Sequence, residues 1–67
     1  MTDEIKILKS MYEEIVKHKC DDEHAHRLEK DLWEKAFIFI IEGKVDPFEA
    51  STIALSTRDI NFYRWYA

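Results

Sequence analysis

The sequence predicts an all-α protein: a small antiparallel helical hairpin capped by one or two shorter helices. Three observations lead there. Apolar residues between Ile5 and Val16 recur along one side of a helical period, Gly43 follows a second and longer apolar segment, and Asp46-Pro47-Phe48-Glu49 has the composition of a helix start. With 67 residues the chain is read as a single domain over 1–67, near the size where one core supplies only a few kcal/mol of net stability. A hydrophobic share of 46% and an aromatic share of 13% are too rich in core formers for a disordered segment.

In the first helix, Ile5, Ile7, Leu8, Met11, Tyr12, Ile15 and Val16 occupy about half of the circumference. Asp3 is available as its cap, and Glu13 and Lys17 stand four apart in the favourable order for a surface pair. Lys19-Cys20-Asp21-Asp22 forms the connection, with either aspartate able to cap the next helix. So short a link makes the two helices antiparallel neighbours.

The second helix is predicted from Glu23 to about Glu42, with Gly43 ending it in a left-handed conformation. Ala25, Leu28, Leu32, Ala36 and Phe39 form its stripe, and Trp33, Phe37, Ile40 and Ile41 widen the apolar surface beyond what one partner helix covers. Residues 36–41 are apolar without interruption, which also suits a buried strand, but no breaker separates them from Trp33 and Glu34 and helix is preferred.

The third helix begins with Asp46 as cap, Pro47 at the first position and Glu49 at the third. It contains Phe48 through Leu55, and Ala50, Ser51 and Ala54 give it small surfaces for close approach to the bulky end of the second helix. Ser56 and Thr57 close it and cap a further turn. Residues 60–67 show no clean periodicity, yet four of the last six are aromatic, so the segment is expected to fold onto the body or into a partner.

Chemistry is thinly represented. The one dense group of candidate ligands is Cys20, Asp21, Asp22, Glu23, His24 and His26, but two histidines two residues apart diverge on a helix and a structural zinc site needs four organised ligands. A Cys20 nucleophile would need a base and an oxyanion environment, and the neighbouring acids oppose its thiolate. With one glycine there is no phosphate-cradling loop, and no cofactor is implied. Arg58 and Arg64 flank Phe62 and Tyr63, a weak nucleic-acid signal against a net charge of -4. No apolar run is long enough to cross a bilayer and no leader opens the chain, so a cytoplasmic protein without a membrane role is expected.

The expected function is therefore protein binding, as an adaptor, accessory subunit or inhibitor, and not as an enzyme. Trp33, Phe37 and Ile41 are the candidate docking residues on the second helix, and Phe62, Tyr63, Trp65 and Tyr66 those of the C-terminal segment. Self-association, with a homodimer favoured, would bury the surplus apolar surface. A small metal-dependent or thiol enzyme is the alternative from another class, followed by a nucleic-acid-binding protein.

Overall fold

The computed structural model describes residues 3–60. Phe62, Tyr63, Arg64, Trp65 and Tyr66, and with them the expected aromatic contacts of the C-terminal segment, lie outside the described residues. Helix α1 spans Asp3–Lys17, α2 spans Asp22–Ile41 and α3 spans Pro47–Ser56, followed by a single 3-10 turn, Thr57–Asp59. Residues 36–41 are helical, and no strand occurs among the described residues.

The hairpin is held along one seam. α2 buries Ala25, Glu29, Leu32, Ala36 and Phe39, a spacing that alternates between four and three residues and keeps one narrow side facing its neighbour. α1 answers with Ile5, Leu8 and Ile15, supported by the half-buried Met11 and Tyr12. Ile5 and Leu8 cluster with Ala36 and Phe39, whereas Ile15 clusters with Ala25 and Leu32. Opposite ends of the two helices therefore meet, as an antiparallel pair requires. Leu8 and Leu32 are fully buried, and each is worth about 1.5–3 kcal/mol relative to exposure.

The seam is narrower than the apolar pattern. Ile7 and Val16 of the predicted face remain exposed, and Leu28 is only half-buried while Glu29 takes the seam position beside it. On α1, the Lys17 ammonium lies 3.4 Å from Glu14 instead of pairing with Glu13. Both groups are well exposed, so this pair contributes little.

Local chemistry sets the ends of the elements. Asp21, not Asp22, caps α2, its carboxylate accepting from the His24 backbone N–H at 3.2 Å. At the other end Gly43 adopts φ +72°, the Gly43 N–H donates to the Ile40 carbonyl at 3.0 Å, and the Lys44 N–H donates to the Phe39 carbonyl at 2.9 Å. This is the paired-bond helix stop in which a left-handed residue satisfies the last carbonyls. The chain then turns directly into α3, where the Asp46 carboxylate accepts from the Glu49 N–H at 3.0 Å and Pro47 opens the first turn. Val45 and Ala50, immediately before the cap and at the fourth helical position, are buried in the cluster that holds Phe39. Such a staple fixes the angle at which α3 leaves the turn, and α3 then packs across both α1 and α2.

An added Cβ at Gly43 meets nothing within 4 Å, so the penalty for substitution there is conformational alone. Gly43→Ala is expected to lower stability by about 1 kcal/mol with helix content unchanged, and Gly43→Asn by less, because asparagine tolerates the left-handed region better. Urea midpoints for the two variants check this ordering.

Candidate docking surface

Trp33, Phe37 and Ile41 stand four residues apart on α2. Each such step advances about 40° around a helix, so a line that starts at the contact with α3 turns progressively outward. Trp33 marks the inner end. Its indole N–H is shared between the Ala54 carbonyl at 2.9 Å and the Thr57 hydroxyl at 3.0 Å, and that hydroxyl donates to the same carbonyl at 2.9 Å. Thr57 is fully buried, and Trp33 packs against the cluster of Ile15, Ala25, Leu32 and Ile60. Trp33 thus anchors α2 to the end of α3, and the three residues divide into one tie and two exposed groups.

Phe37 is 59% exposed and Ile41 83% exposed, with Ile38 beside them at 45%. Exposure of this degree at the end of a twenty-residue helix has a geometric origin. The seam claims Ala36 and Phe39, and Ile40 packs against the same cluster, so the remaining side of that turn has no neighbour among the described residues to face. α3 adds Phe48 at 80% and Leu55 at 57%. These two are seven residues apart on one side of α3, away from the buried Ala50 and the half-buried Ala54.

Phe37 and Ile41 belonged to the expected site; Ile38, Phe48 and Leu55 did not. A signal for the last two was present. Phe48 and Leu55 together with Ala50, Ile53 and Ala54 make α3 apolar around most of its circumference, which a ten-residue helix packed on one side cannot bury.

Charged groups border the exposed residues, and Phe48 lines a recess with Lys9, Asp46 and Glu49. Glu42 and Lys44 form a 3.4 Å ion pair next to Ile41, and Arg58 and Asp59 line one recess with Leu55. The Thr52 hydroxyl donates to the Phe48 carbonyl at 2.8 Å and the Ser56 hydroxyl to the Ile53 carbonyl at 2.6 Å. Two polar side chains near the apolar groups of α3 therefore carry internal hydrogen bonds, which lowers the penalty for covering them.

The polar candidates are dispersed. Cys20 is a free, exposed thiol. The His24 ring meets His18 edge to face at a centroid distance of 4.6 Å, and His18 Nε2 lies 3.5 Å from the Glu14 carboxylate. His26 points elsewhere, lining a recess of about 360 Å³ with Glu29, Lys30 and Trp33. No group of three His, Cys, Asp or Glu side chains among the described residues is arranged to hold a metal ion. Arg58 is exposed, and its companion Arg64 lies outside the described residues. Among the described residues no helix is long and apolar enough to cross a membrane.

If Trp33 is a structural tie, Trp33→Phe keeps most of the packing and loses the shared donor. It is expected to cost about 1–2 kcal/mol, and Trp33→Ala about 3–5 kcal/mol, by chemical denaturation followed by circular dichroism. Ile41→Lys should change stability by less than about 0.5 kcal/mol, because the side chain it removes is already in water.

Compared with protein-family models, curated proteins and solved structures, the chain shows no significant match to any of them.

Proposed function

We propose that this protein is a small protein-binding module that docks through the outward sides of α2 and α3, acting as an adaptor, accessory subunit or inhibitor. One observation carries the reading: Phe37, Ile41, Phe48 and Leu55 are each more than half exposed although the chain has better-protected positions in use for its core. Large apolar groups gathered at the surface of a small domain mark interaction sites, and isolated ones do not. The helical frame beneath is rigid where it matters, since Trp33 is tied to α3 and Gly43 and Asp46 fix the turn between the helices. A preformed surface of this type loses little conformational entropy on binding. The exposed free thiol of Cys20 suits a reducing compartment such as the cytoplasm.

Affinity capture from the native cell lysate tests the reading, comparing the full chain with a Phe37→Lys, Ile41→Lys double variant of unchanged helix content. Retention of protein by the unaltered chain in near-stoichiometric amount, and its loss with the double variant, is the expected result. An identical retained set for both chains, or none for either, contradicts docking at this surface.

A further inference from the structure

We infer that the recess on α2 lined by His26, Glu29, Lys30 and Trp33 is the seat of the chain's own C-terminal segment, 61–67, with the Phe62 ring against Trp33 and the Arg64 guanidinium toward Glu29. This seat lies apart from the docking surface proposed above and holds independently of it. Position is the first argument. The 3-10 turn leads into Ile60, whose side chain is buried with Ile15, Ala25 and Leu32 in the cluster against which Trp33 packs. The Ile60 N–H donates to the Thr57 carbonyl at 3.0 Å, and the Thr57 hydroxyl accepts from the Trp33 indole at 3.0 Å. The chain therefore leaves Ile60 beside Trp33, which forms one end of the recess. His26, at the other end, is two turns further back along α2, about 10 Å away, and residues 61–67 reach at most about 23–25 Å.

Chemistry is the second argument. Three of the four lining residues carry polar heads, yet the wall they present around a volume of about 360 Å³ is mostly carbon. Four of the last six residues of the chain are aromatic, and such rings gain most by leaving water for a wall of this kind. Direction is the third argument. Ile60 is extended, with φ -78° and ψ 126°, and alternate residues of an extended chain share a side. The same course continued brings Phe62 and Arg64 to the side on which Ile60 is buried. Charge agrees with this assignment. Glu29 is buried, a buried carboxylate favours a cation beside it, and Arg64 is the charged side chain that 61–67 supplies. A tethered segment also meets the recess at an effective concentration in the millimolar range, ahead of any separate chain in dilute solution.

NOE spectra of the full chain in dilute solution test the seating, together with hydrogen exchange of the Trp33 indole N–H in the unaltered chain and in Phe62→Ser. Contacts from the Phe62 ring to the Trp33 indole and the His26 ring are expected, with indole exchange roughly 10-fold faster in Phe62→Ser and a smaller acceleration in Arg64→Gln. Lack of any contact between Phe62 and Trp33 in the unaltered chain overturns the inference, and this readout decides the matter even where a variant fails to fold. Contacts that arise only between labelled and unlabelled copies also overturn it, because the occupant is then a second chain. So does unchanged exchange in a Phe62→Ser variant that circular dichroism shows to be folded. Capture of a partner through Phe37 and Ile41 is unaffected by any of these results, so failure of the seating and failure of the docking reading are told apart.

Discussion

The seam between α1 and α2 constrains everything else in this molecule. Ala25, Glu29, Leu32, Ala36 and Phe39 recur at alternating intervals of four and three, and that spacing keeps only a narrow side of α2 against α1. The two alanines are buried in the seam together with Ile5, Leu8 and Ile15, all almost completely excluded from water. Close packing of this kind leaves no freedom to rotate α2 toward other apolar residues. A rotation that buried Ile41 would expose Ala36 and Phe39 and break the better-packed contact.

From that constraint the division of labour on α2 follows. Ile40 and Trp33 flank the seam on the side where α3 crosses, and both are used: Ile40 against the Phe39 and Val45 cluster, Trp33 through its shared N–H. Phe37 and Ile41 lie further around the circumference, where α3 does not reach. α3 repeats the pattern on a smaller scale, with Ala50 inward and Phe48 and Leu55 outward. The exposed groups of each helix arise from the same kind of packing, with small or seam residues inward and large ones left outward.

The helices and their connections were readable from local chemistry because caps and stops act through a few adjacent residues. Gly43, Asp46 and Pro47 perform the roles that their side chains permit. The inward and outward assignments were harder. An apolar pattern reports which residues avoid water, but the boundary of a seam depends on the width of the partner, and so Ile7 and Val16 fell outside it. Glu29 was not legible at all. It is buried at a seam position because Ala25 and Leu32 are, and burying a carboxylate is tolerated only where the fold supplies a partner, which this one does. The grouping of Trp33 with Phe37 and Ile41 merged two environments, a residue bonded to α3 and two exposed ones, since three residues at four-residue intervals drift across a boundary that only the position of α3 defines. The apolar circumference of α3 announced that some of its large groups stay exposed, but that Phe48 and Leu55 are the ones depends on which side of α3 the alanines occupy.

Hydroxyl-radical footprinting of the dilute chain, read residue by residue, tests most directly whether the seam leaves the outer turn of α2 in water. The account predicts rapid modification of Phe37, Ile41 and Phe48 and strong protection of Ile5, Leu8 and Leu32 in the same sample. Protection of Phe37 and Ile41 equal to that of Leu32 would contradict it, because the seam would then be wider than the packing of Ala25, Ala36 and Phe39 allows.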